Sequence, residues 1–159
     1  MKIDIICVGK IKEEYFRGGV AEYLKRLKRY ATVSIIEVAD EPTPDGASAA
    51  IEEQIKAKEG EKILARIAPS AYKIALAIDG KGLSSEDFAQ RLEALGVNGV
   101  SHIQFIIGGS LGLSESVLNA ADIRLSFSAM TFPHQLMRVI LLEQIYRAYR
   151  IINHEPYHK

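Results

Sequence analysis

The sequence predicts an α/β fold with a mostly parallel sheet and helices on both faces. Short apolar runs alternate along the chain with longer amphipathic segments, which is the order typical of parallel sheets. The first run, Ile3–Val8, is continuously apolar, as expected for a strand that is covered on both faces. The chain has 159 residues, of which 48% are hydrophobic. This size and composition predict one globular domain over residues 1–159.

The first half of the chain predicts three strands and two helices. The strands are expected over Ile3–Val8, Val33–Val38 and Tyr72–Ile78, and the helices over Glu13–Tyr30 and Ala49–Ile67. The second strand is rich in β-branched residues, which favour extended structure. Asp40–Ser48 contains two prolines and a glycine and is predicted to be a surface loop.

The second half continues the alternation. Ser84 or Ser85 can cap a helix that runs to about Leu95 and stops at Gly96, with Asp87 in its first turn,. The remaining elements are a strand over Ile103–Ile107, a short helix from Ser114 to about Ala121, a strand over Ile123–Phe127 and a helix over Gln135–Ile152 that follows Pro133,.

The first half of the last helix is apolar nearly all round. Its apolar residues are Leu136, Met137, Val139, Ile140, Leu141, Leu142, Ile145 and Tyr146. Such a helix must be covered on more than one side. We expect a second subunit to cover it, and the alternative is a central position within one subunit.

Composition narrows the classes of protein further. Cys7 is the single cysteine and lies in the first strand, so no internal disulfide can form, and we expect a reducing, cytoplasmic compartment. No apolar segment approaches the roughly 20 residues of a membrane span, and no cysteine–histidine spacing predicts a metal site. Basic and acidic residues balance at 20 each, so composition gives no support to a nucleic-acid partner.

Three loops follow the third, fourth and fifth strands. They are Asp79–Gly82, Gly108–Gly112 and Ser128–His134. Because ligands in open parallel sheets bind beyond the carboxyl ends of the strands, we expect these loops to form one site. The phosphate-loop and dinucleotide patterns are both absent. A plain tight turn remains the alternative interpretation of the glycines in the second loop.

The stretch Leu125–Tyr149 carries the most specific pattern. It contains S-x-x-T-x-P-H, which begins at Ser128, followed by R-V-x-L-x-E-Q-x-Y-R-A. Together with Gly108-Gly109 and the tail Tyr157–Lys159, it closely resembles the ribosomal RNA large-subunit methyltransferase H family of the SPOUT superfamily. The resemblance runs over nearly the whole chain.

This resemblance implies a C-terminal trefoil knot, a rare exception to the rule that chains do not thread loops. It also implies a homodimer with the active site at the subunit interface, and S-adenosylmethionine as cofactor. The implied product is N3-methylated pseudouridine in helix 69 of 23S ribosomal RNA, made on the assembled ribosome. The implied cofactor contacts are Leu76, Gly108, Phe127, Ser128, Ala129, Met130, Thr131 and Phe132.

The pseudouridine nitrogen carries a proton that must be removed for methyl transfer. His158 and Tyr157 in the tail are the candidate catalytic residues, and we favour His158, since histidine titrates near neutrality. His134 beside the cofactor loop is a third candidate, although it can instead hydrogen-bond the loop or cap the helix.

Basic residues could hold the RNA. Arg138, Arg147 and Lys159 are the expected substrate contacts, since arginine binds phosphate through paired hydrogen bonds. The alternative is a solvated face or a salt bridge from Arg147 to Glu143. A second basic cluster on the first helix, which can also be a plain solvated face, comprises Lys25, Arg26, Lys28 and Arg29.

Two other functions remain open at this stage. The chain could be a non-catalytic, ribosome-associated nucleotide-binding module with the same fold. It could also be a related SPOUT methyltransferase that acts on transfer RNA.

Overall fold

The computed structural model describes all 159 residues, and strands alternate with helices from one end of the chain to the other. The ten elements are β1 (Lys2–Val8), α1 (Glu14–Leu27), β2 (Thr32–Val38), α2 (Ala49–Leu64), β3 (Tyr72–Gly82), α3 (Ser85–Val97), β4 (His102–Ile107), α4 (Glu115–Ala120), β5 (Ile123–Ser126) and α5 (His134–Ile152). The predicted type of every element is confirmed. The helix ends differ by up to three residues, since terminal turns carry little sequence signal.

The five strands form one sheet in the order β2-β1-β4-β3-β5. Every strand pair is parallel, which confirms the predicted sheet. This order places β4, β3 and β5 side by side. Their carboxyl ends therefore lie along one stretch of the same sheet edge, as expected for the three loops that follow them.

Alternate residues of the central strands pack into two cores, one on each face of the sheet. Ile3 and Ile5 of β1 point into the larger core, with buried residues of α1, α3 and α5. Ile6 and Val8 point into the smaller core, with buried residues of α2 and α4. Successive side chains of a strand point to opposite faces, so a continuously apolar strand fills both cores. The prediction of helices on both faces is confirmed.

Helix α5 is covered mainly within its own chain. It packs on the larger core between α1 and α3. Within this chain α5 therefore occupies a central position, and the expectation that a second subunit covers the rest of its apolar surface stays a prediction. Its outward stripe of Leu136, Val139 and Ile140 is only half-buried.

The third strand extends beyond its predicted end at Ile78 and runs to Gly82. Its pairing with β5 shifts register between Leu76 and Lys81, which both lie opposite Leu125. The four intervening residues bulge out of the ladder. A Cβ atom on Gly80 would lie 2.7 Å from the carbonyl carbon of Arg124, so a glycine permits this close approach.

Two predicted helix caps are present. The hydroxyl of Ser84 accepts a hydrogen bond from the backbone N–H of Asp87, and the hydroxyl of Ser114 accepts one from Val117. Of the ten elements, none is a helix with the length and apolar character needed to cross a membrane. The trefoil knot stays a prediction.

The first testable consequence concerns the larger core. Phe105 of β4 is fully buried, with its ring centroid 6.2 Å from that of Phe88 on α3. We expect Phe105→Ala to lower the free energy of unfolding by about 3–5 kcal/mol, because it leaves a cavity that the sheet cannot close. Urea denaturation measures this change. Val97→Ala, at a residue that is 81% exposed, should change it by less than about 0.5 kcal/mol, and equal losses in the two variants would contradict the assigned core.

Candidate functional site

A cavity of about 860 Å³ opens at the carboxyl ends of β3, β4 and β5. Three segments line it: the bulge Ala77–Asp79 of β3, the turn Gly108–Gly112 after β4, and the loop after β5 that leads into α5. Its volume lies in the range of small-molecule sites, which is about 300–1,000 Å³. The predicted convergence is confirmed for the second and third loops. Of the first, Asp79–Gly82, only Asp79 lines the cavity, because these residues belong to β3.

The structure brings together seven of the eight residues for which the sequence predicts a cofactor contact. The exception is Ala129, which is exposed and does not line the cavity. The seven lining residues are Leu76, Gly108, Phe127, Ser128, Met130, Thr131 and Phe132. They come from three elements that are far apart in sequence, and the parallel sheet alone makes them neighbours.

In the turn after β4, the backbone at Gly108 approaches the backbone at Gly112 closely. A Cβ atom on Gly108 would lie 2.7 Å from the carbonyl carbon of Gly112 and 2.9 Å from its oxygen. Gly112 itself has a φ of +86°, a conformation that side chains other than glycine rarely adopt. The glycines therefore shape the turn, and they leave its backbone exposed to the cavity.

The lining is mostly apolar and holds one acidic side chain. Ile107, Phe127 and Phe132 contribute hydrophobic surface, Asp79 is the acidic residue, and the lining contains no lysine or arginine. A second carboxylate stands behind the turn, where Glu59 Oε1 would lie 3.2 Å from a Cβ atom on Gly109. Burial raises the pKa of Glu59. This environment suits a ligand with a flat apolar part and a positive charge.

The first turn of α5 closes the inner end of the cavity with His134 and Met137. Burial, with the positive charge of Arg138 nearby, lowers the pKa of His134. The ring is therefore held neutral at pH 7. Its Nδ1 atom is buried and has no hydrogen-bond partner within the chain.

Arg138 does not lie where an RNA phosphate could reach it. It is fully buried, and its guanidinium donates to the Glu37 carboxylate at 2.8 Å and to the Gly9 carbonyl at 2.7 Å. The expectation that Arg138 contacts RNA is corrected here, because a buried charge is retained only when it is paired. Arg138 ties α5 to the carboxyl end of β1.

The tail lies against α5 and the start of α3, and no tail residue lines the cavity of its own chain. Tyr157 donates its hydroxyl hydrogen to Glu143 at 3.0 Å. The His158 ring has Nε2 at 2.7 Å from the Glu86 carboxylate and Nδ1 at 3.2 Å from the Arg147 guanidinium. Burial raises the pKa of Tyr157, so this hydroxyl is a donor and a poor base.

The remaining basic candidates differ in their partners. Arg147 forms the alternative salt bridge with Glu143, at 2.6 Å, and also contacts His158, while Lys159 is exposed at the chain end. In the second basic cluster Arg26 pairs with Glu22 and Arg29 with Glu155. Lys25 and Lys28 of that cluster are exposed.

Sequence reasoning missed several residues that line the cavity. Leu113, Leu118 and Met137 are apolar positions near helix starts, and nothing in their local pattern separates a cavity wall from a core. The spacing from His134 to Met137 was the available signal, since residues three apart on a helix share a face.

The comparisons with known proteins agree with this architecture. A family model described as predicted SPOUT methyltransferase matches residues 1–158. The chain is 63% identical to the ribosomal RNA large subunit methyltransferase H of Bifidobacterium adolescentis and 61% identical to that of Clostridioides difficile, in each case over 100% of both chains. This chain therefore belongs to the SPOUT methyltransferases, within the ribosomal RNA large-subunit methyltransferase H family.

Proposed function

We propose that this methyltransferase uses S-adenosylmethionine to methylate N3 of a pseudouridine in helix 69 of 23S ribosomal RNA, on the assembled ribosome in the cytoplasm. The observation that carries the proposal is the cavity that the bulge of β3 and the loops after β4 and β5 form in this family member. Seven residues expected to contact the cofactor line that cavity. The relatives are named for the large-subunit ribosomal RNA, which supports this class of substrate.

The cavity fits the proposed cofactor in shape and charge. Phe127, Phe132 and Ile107 offer apolar surface for an adenine ring, and the backbone of the loop Ser128–Phe132 offers donors and acceptors,. Asp79, with Glu59 behind the glycine turn, favours a positive charge. When bound, the cofactor supplies a methyl group that is already activated on a sulfonium.

Alignment is the main contribution that we assign to the cavity. The turn Gly108–Gly112 and the first turn of α5 line the cavity and would restrict the orientation of a bound ligand. Fixing two reactants at the correct distance and angle removes much of the entropic barrier to their reaction. The apolar lining also excludes water from the reacting atoms.

We assign proton removal to His158. The Arg147 guanidinium can only donate, so Nδ1 of His158 accepts, and Nε2 carries the proton toward Glu86,. Nδ1 is then the atom able to take the pseudouridine proton. It becomes free when Arg147 turns to an RNA phosphate, which couples substrate binding to the availability of the base.

We further propose that the active unit is a homodimer in which the tail of one subunit completes the cavity of the other. The tail does not line the cavity of its own chain. Ile78 and Met130 at the cavity are 56% and 74% exposed. A second subunit would bury these apolar side chains. The half-buried stripe that begins at Leu136 on α5 offers further apolar surface for a second subunit.

The RNA contacts that fit this proposal are Arg147 and Lys159, which flank His158. With a formal net charge of zero, the chain is poorly suited to binding free RNA, whose affinity depends on many phosphate contacts. Docking on the ribosome adds contacts that depend on the fit between the two surfaces. A loop nucleotide is also partly unstacked, which lowers the cost of presenting its base.

The proposal is tested by incubating ribosomes that lack the modification with the protein and radiolabelled S-adenosylmethionine, and then mapping the label. We expect one methyl group on a pseudouridine of helix 69. Label in transfer RNA alone would favour the alternative transfer-RNA methyltransferase. Cofactor binding without labelled RNA of either kind would favour the non-catalytic module.

The glycine turn gives a second prediction. Gly108→Val should weaken cofactor binding at least about tenfold, or about 1.4 kcal/mol, because the new side chain collides with the Gly112 carbonyl. Isothermal titration calorimetry measures the affinity, and gel filtration shows whether the oligomeric state is retained. Gly18→Val is the control, since a Cβ atom on Gly18 meets nothing within 4 Å. Unchanged affinity in Gly108→Val would place the cofactor elsewhere.

The proposed base gives a third prediction. His158→Ala should lower turnover by roughly a hundredfold or more while cofactor affinity is unchanged, because the proposal places the imidazole against the pseudouridine and the substitution leaves the seven expected cofactor contacts intact. Single-turnover methylation of ribosomes measures the rate. His154→Asn is a matched control in the same tail, since His154 is exposed, has a φ of 54°, and asparagine tolerates that conformation. Normal turnover in His158→Ala would exclude it as the base.

A further inference from the structure

The tail leaves α5 through a defined turn. His154 adopts a left-handed backbone conformation with a φ of 54°. The backbone N–H of Glu155 then donates to the Arg150 carbonyl at 2.8 Å. The direction in which Tyr157–Lys159 run is therefore decided within the three residues that precede them.

The Glu155 carboxylate is the centre of this turn. It accepts hydrogen bonds from the Tyr30 hydroxyl at 2.7 Å, from Arg29 at 3.2 Å, and from Arg150. Arg150 also donates to the Pro156 carbonyl at 2.8 Å. The Tyr30 hydrogen bond, with the neighbouring arginines, lowers the pKa of Glu155, so the carboxylate stays ionised at neutral pH.

Tyr30 is itself held firmly, although it is far from the tail in sequence. Its ring stacks on Tyr149 of α5, with centroids 5.3 Å apart and planes 9° from parallel. Its backbone N–H donates to the Leu27 carbonyl at the end of α1. The hydroxyl is thus a fixed point supplied by the body of the protein, and Arg150 also donates to it at 3.2 Å.

We propose that Tyr30, Arg150 and Glu155 form a tail anchor, a set of positioning residues that aims His158 at the substrate. The inference rests on the proposed function of His158. None of the three anchor residues lines the cavity, so they act through the tail. His158 lies three residues beyond Glu155, a reach of about 10 Å in an extended chain. A rotation of the chain at the anchor would therefore displace the imidazole.

The tail anchor differs from an ordinary surface ion pair because several hydrogen bonds meet at one carboxylate. Isolated exposed pairs contribute little to stability. Here one carboxylate meets three donors, and the side chains of Glu155 and Arg150 are only 23% and 17% exposed. The anchor joins the end of α1 to the end of α5, so it fixes the tail relative to the folded body of the chain.

The test compares Tyr30, which follows the end of α1, with Tyr15 in the first turn of that helix. Tyr30→Phe removes the hydroxyl that binds Glu155, whereas Tyr15→Phe alters a tyrosine that is 70% exposed and serves as the control. We expect Tyr30→Phe to lower kcat for ribosome methylation about tenfold, while cofactor affinity stays at the wild-type value and the protein remains folded at the assay temperature. Equal kcat values in the two variants would overturn the proposal. Glu155→Gln should lose less activity than Glu155→Ala, because the amide oxygen still accepts from Tyr30.

A positioning role also predicts how the substitutions combine. If the anchor acts through His158, Tyr30→Phe should cause no further loss in a His158→Ala background. Losses that multiply in the double variant would overturn the assignment, since the anchor would then act by another route.

A measurement without turnover separates this inference from the proposed function. In the full-length protein, the NMR signal of the His158 ring, identified by its loss in His158→Ala, should report an ordered side chain. Tyr30→Phe should shift and sharpen it toward the value of a free peptide, and an unchanged signal would overturn the anchor. If the wild-type chain methylated no RNA, the proposed function would fail, and this signal would still decide whether Tyr30 holds the tail.

Discussion

Parallel pairing of β4 with β3, and of β3 with β5, is the constraint on which the site depends. It brings the bulge of β3 and the loops after β4 and β5, which are distant in sequence, to the same edge of the sheet, where they line one cavity. The close backbone approaches at Gly80 and Gly108 refine that arrangement. A side chain at either position would push apart segments that the sheet brings together.

Helix α5 contributes residues both to the cavity and to the contacts that hold the tail. Its first turn closes the cavity with His134 and Met137, and its last turns carry Arg147 and Arg150, which hold the tail. Arg138 fastens the same helix to the end of β1 through the Gly9 carbonyl. One rigid element therefore sets the geometry of both the proposed cofactor pocket and the proposed base.

Much of this arrangement could be predicted from the sequence, because continuously apolar strands and capped helices leave clear local patterns. The bulge in β3 could not, since it depends on the meeting of Gly80 with the backbone of Arg124. The burial of Arg138 could not be predicted either: an arginine near a functional motif has the same sequence pattern whether it meets a phosphate or Glu37. The role of Tyr30 depends on a contact across 125 residues of chain, which no local pattern encodes.

The absence of lysine and arginine from the cavity lining bears on competition among ligands in the cell. ATP shares the adenosine portion of S-adenosylmethionine and could use the same aromatic surface. Its triphosphate, however, would bring several negative charges toward Asp79 and Glu59,. Arg124, which pairs with Asp79 at 3.9 Å, lies outside the lining. With S-adenosylmethionine as the proposed cofactor, repulsion at this lining would favour the cation over the negatively charged nucleotide.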